Sequence, residues 1–443
     1  MPYVRAPPGF HALPLPLAQL SLAAVLKCGQ SFRWSTYPLH AALPSDPSHE
    51  YRLCLQDRVV CLRQSPDTIF YRAVFPETSV SPEIVSARDA ETLLWLKDYF
   101  QLDVDLVKLY SEWAERDPVF AKLRTRFEGI RMLRQDPWEN LISFICSSNN
   151  NIARITKMVK TLCTQYSPPL LSIPPPKLII TTGLLTPSDS NESCPSPALT
   201  TPEPELESFH PFPPPSRFST PDVAATLRSL GFGYRADFIQ KTAKMLVDAH
   251  GVSISARGKE GPERWLDTLR SMSTADAREE LLKLMGVGRK VADCVLLMSL
   301  DKAEVIPVDT HVHQIAMKHY GLSGTKQAMS PRLYDAISEK FHSVWGDYAG
   351  WAHSVLFTAD LKAFSDYGLI TPAASPRKQN MSTSRAAGDS SSARARKRGA
   401  KQVQTQDAPK LGEGLRRDDD SLGEASSPAE RVKKRRRVSQ APR

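Results

Sequence analysis

The hydrophobic pattern changes period along the chain. Near the start it runs in short strand-length segments, and later it recurs at helical spacing. Tyr51-Arg-Leu-Cys-Leu55, the pair Gln56-Asp57 and Arg58-Val-Val-Cys-Leu-Arg63 predict a β-hairpin. Ile69-Phe-Tyr-Arg-Ala-Val74 predicts another strand. Residues 10–100 therefore read as β-rich, and the helical period takes over from Glu91. Asp136-Pro137-Trp138-Glu139 is a helix start, with Asp as N-cap, Pro in the first turn and Glu at N3. The face Trp138, Leu141, Ile142, Ile145 follows, and Ile152, Ile155, Met158, Val159, Leu162 give a second amphipathic helix. Further helices are expected at 223–230 and 234–249, closed by Gly231 and Gly251, and at 275–284, 290–300, 310–319, 331–341 and 348–361. The fold class is α+β: an N-terminal antiparallel β-sheet domain (1–100), then a mostly helical body (101–365).

Proline divides this pattern. Of 36 prolines, 15 lie between 167 and 221, including the runs 174–176 and 213–215. Proline lacks a donor and fixes φ, so residues 167–208 are expected to be a disordered Pro-rich insertion. Residues 371–443 are rich in Ser, Ala, Lys and Arg with almost no aromatic residues, and are expected to be a disordered tail.

Charge sharpens the division. The net charge is +9. Residues 371–443 hold 18 basic and 8 acidic residues, a net of +10, which leaves −1 for everything before them. The body is not a uniformly basic binder. The tail's Lys433-Lys434-Arg435-Arg436-Arg437, with a basic cluster at 394–398 upstream, suits a nuclear localisation signal or a loose, salt-sensitive hold on DNA. Seven cysteines form no C-x-x-C pair, which argues against a disulfide framework, a zinc ribbon or an iron–sulfur cluster. No apolar run is long enough to span a membrane, so no membrane association is expected.

The chemistry concentrates at Leu281-Leu-Lys-Leu-Met-Gly286-Val-Gly288-Arg-Lys290-Val-Ala-Asp-Cys294. An apolar helix runs into Gly-Val-Gly and a second leaves it. This is a helix–hairpin–helix near 281–300, whose outgoing N–H groups suit a phosphate. An ordinary corner between helices would read the same way from this window alone. Lys290 then stands in the first turn of an apolar helix. A positive charge is disfavoured there, which favours the neutral, nucleophilic amine. Cys294 follows at i+4 on the same face. Asp309, in Val308-Asp309-Thr310-His311, suits an N-cap. A carboxylate held by backbone N–H groups can also stabilise positive charge developing at a sugar carbon.

Together with Gly29-Gln-Ser-Phe-Arg-Trp34, Ile142-Ser-Phe-Ile-Cys-Ser-Ser-Asn-Asn-Asn-Ile-Ala-Arg154, Gly231-Phe-Gly-Tyr-Arg-Ala236 and Trp345-Gly-Asp-Tyr-Ala-Gly-Trp-Ala352, this window resembles the eukaryotic 8-oxoguanine DNA glycosylase/AP lyase family of helix–hairpin–helix glycosylases. The likeness covers residues 10–365 outside the insertion. It implies removal of 8-oxoguanine opposite cytosine from duplex DNA, then β-elimination through a lysine Schiff base. Lys290 resembles the nucleophile and Asp309 the carboxylate that stabilises the oxocarbenium-like sugar. Cys294 and Phe357 match the residues that sandwich the flipped base. The Gly29 carbonyl matches the acceptor for the N7–H of oxidised guanine. Asn149, Arg154 and Arg235 match the readers of the estranged cytosine, Tyr234 the wedge, and His311 a phosphate contact, while Gly286 and Gly288 form the DNA-gripping hairpin. The implied enzyme needs no metal or other cofactor and acts as a monomer, with no protein partner identified.

The bland readings stand beside these. One of the three asparagines suits a helix cap, Arg154 and Arg235 suit solvated positions, and Phe357 and Cys294 suit the core. One departure is plain: His353 stands where the family usually has Gln. A neutral imidazole offers one donor and one acceptor, and an ordinary histidine would titrate near pH 6.5 and make base recognition pH-dependent. Three alternatives remain open. A relative acting on alkylated purines would not need Lys290, and one acting on oxidised pyrimidines would usually carry cluster cysteines. In a non-catalytic DNA-binding module, Lys290 would only contact phosphate.

Overall fold

The computed structural model describes residues 6–369, except 42, 44, 77–80, 177–205, 257 and 323–328. The basic tail and the centre of the Pro-rich insertion lie outside the described residues.

Five antiparallel strands form the N-terminal sheet: β1 (His11–Pro14), β2 (Ser35–Pro38), β3 (His49–Cys54), β4 (Val59–Ser65) and β5 (Thr68–Val74). Their order is β1-β5-β4-β3-β2. The expected hairpin is β3–β4. Cys54 pairs with Val59, Leu55 N–H donates to the Arg58 carbonyl at 2.7 Å, and Gln56-Asp57 makes the turn. Side chains alternate across the sheet. Val60 and Leu62 pack on one face with Leu96, Tyr99 and Phe100. Val59 and Cys61 pack on the other with Phe70, Ile173 and Phe209.

That second face corrects the insertion's bounds. β6 (Leu171–Ile173) pairs with β7 (Glu207–Phe209), so both ends of the stretch expected to be disordered are ordered and hold buried side chains. Proline runs do exclude regular structure, but three-residue strands between them can still deliver Ile173 and Phe209 to an apolar surface.

The helices are α1 (Leu22–Val25), α2 (Pro82–Tyr99), α3 (Leu106–Arg116), α4 (Pro118–Leu123), α5 (Pro137–Ser147), α6 (Ile152–Tyr166), α7 (Asp222–Ser229), α8 (Arg235–His250), α9 (Gly261–Thr268), α10 (Thr274–Leu282), α11 (Arg289–Ser299), α12 (Thr310–Tyr320), α13 (Pro331–Trp345) and α14 (Ala349–Asp360). α2 begins nine residues before the expected change of period at Glu91. Its first turns expose Ile84 and Val85, so no apolar stripe marks them. α5 starts as expected, with Asp136 accepting from the Trp138 and Glu139 N–H groups at 3.0 Å each. Glu139 does not close a capping box. It takes both Nε and Nη2 of half-buried-to-buried Arg33, at 2.8 and 2.7 Å, and so ties α5 to the sheet domain. Sheet and helices belong to one unit, residues 1–372.

The buried helices α5 and α11 run through one apolar core with α6 and α8. A second core joins α12, α13 and α14. The sites described next lie where these two cores and the loop at residues 28–30 meet.

Candidate active site

α11 begins straight after the hairpin, with Gly288 as its N-cap. Gly286 has φ +78°, and a Cβ there would come within 2.5 Å of the Phe238 ring, so this turn needs glycine twice over. The Gly288 backbone faces open space. Thr242 Oγ1 donates to the Met285 carbonyl at 2.7 Å and anchors the hairpin on α8.

Lys290 sits in the first turn of α11, its Nζ 4.9 Å from the centroid of the Phe144 ring. Asp309 caps α12 and accepts from His311 N–H at 2.9 Å and Val312 N–H at 3.0 Å. Both residues line a pocket of about 470 Å³ that also takes in Gly29, Cys294, His353 and Phe357. Both also line a larger adjoining groove of about 1340 Å³, with Asn149, Gly286, Gly288 and His311. The chain thus brings the amine and the carboxylate, 19 positions apart in sequence, to the junction of a smaller pocket and a larger groove.

The small site suits a planar ring. Cys294 is buried, and burial pushes its thiol up to about 11 against the pull of the Lys290 ammonium. It is therefore a neutral, polarizable surface and not a second nucleophile. Phe357 is half-buried and lines the same pocket. Gly29 has φ +91°, and a Cβ there would meet Ile152 at 2.9 Å. Its loop is pinned by Gln30. That side chain donates to the Arg131 carbonyl at 3.1 Å and accepts from Leu133 N–H at 3.0 Å, while the Gln30 carbonyl accepts from Gln135 at 3.0 Å.

His353 is 6% exposed, and neither ring nitrogen has a hydrogen-bond partner. Burial, aided by the Lys290 charge, lowers its pKa to about 4 and outweighs the Asp309 carboxylate and the Gly350 backbone, which favour the protonated ring. The ring is neutral across the physiological range. This corrects the expectation of titration near pH 6.5: desolvation of the charged form decides. A buried polar ring with two unsatisfied nitrogens costs stability unless something supplies partners.

The residues on and beside the groove behave differently: Asn149 and His311 line it, while Tyr234 and Arg235 reach its Ser148 edge and Arg154 bonds to Gly231. Asn151, not Asn149, caps α6, accepting from Arg154 N–H at 3.0 Å. Asn149 is exposed in the left-handed region at φ +47°. Tyr234 is 49% exposed, and its hydroxyl donates to the Ser148 carbonyl at 3.0 Å. Arg154 is exposed and donates to the Gly231 carbonyl at 3.1 Å. Arg235 departs from expectation. It is 4% exposed, stacked on Tyr234, and committed to the Ser148 and Asn149 carbonyls. A guanidinium has no reason to stay in solvent when two loop carbonyls need donors, so in this conformation it braces the Asn149 loop and reaches no base directly. His311 is exposed, its Nδ1 3.6 Å from Asp360 and its ring edge-on to Phe357.

Sequence reasoning missed Phe144, Gln30 and the pair Asp293–Tyr334. Asp293 left a signal, a carboxylate on the apolar face of α11. Tyr334 left none.

No helix among the described residues is long and apolar enough to cross a membrane. No cluster of potential metal ligands occurs among them either.

Two family models match the chain. The one described as 8-oxoguanine DNA glycosylase, N-terminal domain, matches residues 12–141, and the one described as HhH-GPD superfamily base excision DNA repair protein matches residues 142–338. The chain is 36% identical over 361 residues to N-glycosylase/DNA lyase OGG1 of Arabidopsis thaliana, covering 80% of this chain and 81% of that one. It is 34% identical over 373 residues to the N-glycosylase/DNA lyase of Saccharomyces cerevisiae, covering 80% and 86%. In fold it is similar to MBOgg1 in complex with a low-affinity DNA ligand, with TM-score 0.56, 24% identity, and 80% and 96% of the chains covered. It is also similar to the Clostridium acetobutylicum 8-oxoguanine glycosylase/lyase in complex with duplex DNA containing cytosine opposite 8-oxoG. There the TM-score is 0.54, with 24% identity and 77% and 91% of the chains covered.

Proposed function

The chain belongs to the N-glycosylase/DNA lyase family, and from that premise we propose that it excises 8-oxoguanine opposite cytosine from duplex DNA and then cuts the abasic strand, acting as a monomer. The observation that carries this reading is the convergence of Lys290 and Asp309 where the base-sized pocket opens onto the groove.

C1′ is blocked while its base is stacked, so the nucleotide must leave the helix first. Unstacking costs a few kcal/mol, offset by Tyr234 and Asn149 entering the gap. The flipped base lies between Cys294 and Phe357. The Gly29 carbonyl accepts from N7–H, which oxidised guanine has and guanine lacks. His353 meets the base's hydrogen-bonding edge with one acceptor and one donor. Lys290 then gives up its ammonium proton, and the amine nitrogen attacks C1′. A C1′–N bond forms as the glycosidic bond breaks, its electron pair leaving with the base, which takes up that proton. Asp309 stabilises the positive charge on the sugar as this happens. The sugar opens to a Schiff base, and loss of a C2′ proton expels the 3′ phosphate. None of these steps requires a metal or redox cofactor.

The hairpin at Gly286–Gly288 and His311 support a contact with the phosphate backbone. Arg154 and Arg235 support cytosine recognition, Arg235 by holding the Asn149 loop unless it releases the Ser148 carbonyl on binding. The basic run 433–437 is assigned to nuclear entry, which a reporter fused to residues 371–443 would test by its location.

The deciding experiment compares excision from an 8-oxoguanine:cytosine duplex with a guanine:cytosine duplex, with borohydride trapping. Excision only from the first is expected, with a covalent protein–DNA adduct that Lys290→Ala abolishes. An adduct that persists in Lys290→Ala overturns the assignment of the nucleophile.

A further inference from the structure

Tyr334 belongs to α13, far in sequence from Lys290 and Asp309, yet its hydroxyl stands between the segments that carry them. The hydroxyl donates to Asp293 Oδ2 at 2.6 Å. Asp293 is three residues after Lys290 on α11 and 1% exposed. The same oxygen accepts from the Val308 N–H at 3.0 Å, one residue before Asp309. One atom therefore links the amine's helix to the carboxylate's strand-like approach. A hydroxyl has one proton to give and lone pairs to receive, so it satisfies both partners at once.

The link extends outward. The other oxygen of Asp293 accepts from Arg278 Nε of α10 at 2.7 Å. Arg289, beside Lys290, stacks its guanidinium 4.2 Å from the Tyr334 ring centroid and pairs with Asp335 at 2.5 Å. Four pieces of chain (α10, α11, α13 and the segment before α12) thus meet through hydrogen bonds and not through packing alone. Apolar packing tolerates small slides, whereas a pair of short bonds to one oxygen does not. Burial raises the Asp293 pKa, and the Tyr334 hydroxyl and both arginines pull against it, so these partners are what hold the buried carboxylate as an acceptor.

We propose that Tyr334 is a positioning residue for base removal, holding Asp309 in register with Lys290 through its bonds to Asp293 and Val308, with Arg278 bracing the far side. Tyr334 touches no reacting atom in this role. The inference rests on the proposed roles of Lys290 and Asp309.

The test uses the full-length protein and Tyr334→Phe, which keeps the ring under Arg289 and deletes only the hydroxyl. Single-turnover excision from the 8-oxoguanine:cytosine duplex should slow about tenfold or more, as misplacement of reacting groups does. Affinity for a duplex bearing a reduced abasic-site analogue should stay within about twofold, because the deleted hydroxyl is committed to Asp293 and Val308 while the Tyr334 ring that lines the groove is kept. Arg278→Gln, on a partly exposed side chain, should show a smaller loss of the same kind and keeps the proposal testable if Tyr334→Phe folds poorly. An unchanged rate per folded molecule in both variants, with only a lower melting temperature, overturns the proposal and leaves the network purely structural. Equal losses in affinity and rate overturn it as well. Absence of excision by the wild-type protein is a different failure, that of the functional reading.

Discussion

The small pocket and the adjoining groove share Lys290 and Asp309 but are built on opposite principles. The pocket side is buried and fixed. Cys294 and His353 are nearly inaccessible, the Gly29 loop is pinned at positive φ by the Gln30 bonds, and Lys290 and Asp309 are the charged residues among the described pocket lining. The groove side is exposed and provisional: Asn149, Tyr234, Arg154 and His311 stand in solvent, or bond to loop carbonyls that they can give up. The difference teaches where preparation matters. A base one hydrogen bond away from normal guanine must meet a rigid reader, since a flexible one would adapt to both. The duplex around it changes shape on flipping, so the groove side chains must move with it.

The largest test of this contrast is Asp309→Asn. The amide can still accept from His311 and Val312, so the helix cap survives while the charge is lost. Excision should fall by roughly 10²–10³ with little change in melting temperature. A loss confined to stability would show that the carboxylate is only a cap. Next is Tyr234→Ala on the groove side, which should weaken binding to lesion DNA by about tenfold, in line with the loss of one stacking contact, and leave single-turnover excision at saturating enzyme nearly unchanged. A large loss at saturation would erase the distinction between the two sides.

The smallest effect on activity, and the sharpest on stability, concerns His353. Its folded pKa of about 4 lies below the ordinary histidine value of 6.5. The unfolded chain therefore binds more protons than the folded one between those values, and folding stability is lost as pH falls from about 6.5 toward 4. His353→Gln should remove this loss, gaining roughly 2 kcal/mol at pH 5 relative to its effect at neutral pH. Between pH 5.5 and 8 the excision profile of the two proteins should be parallel. A step near pH 6.5 in the wild type that Gln removes would mean the ring titrates with a lesion bound.

Much of the site was legible because its parts are local. The hairpin glycines, the cap at Asp309 and the i+4 placement of Cys294 need only a few neighbouring residues to make sense. The helix start at Asp136 was legible for the same reason, and so was a cap among the three asparagines at 149–151, though not that Asn151 is the one, since a cap is a contact within one turn. The early turns of α2 were not, because with Ile84 and Val85 exposed they carry no buried stripe. The ordered ends of the Pro-rich stretch were not, because Ile173 and Phe209 acquire meaning only from the sheet face they cover. Arg235 read as a free contact, and its commitment to Ser148 depends on a loop 87 positions away.

Residue type, period and short spacing were enough for the two-part architecture, the hairpin and the separate basic tail. The resemblance to a known family, and not the pattern itself, singled out Lys290, Asp309 and the substituted His353. Tertiary structure alone decided that Lys290 and Asp309 face one junction, that Tyr334 ties their segments together, and that His353 is neutral. Those outcomes depend on burial and on contacts between distant segments. Such terms vanish from a linear chain, because desolvation and hydrogen-bond geometry exist only once the elements have packed.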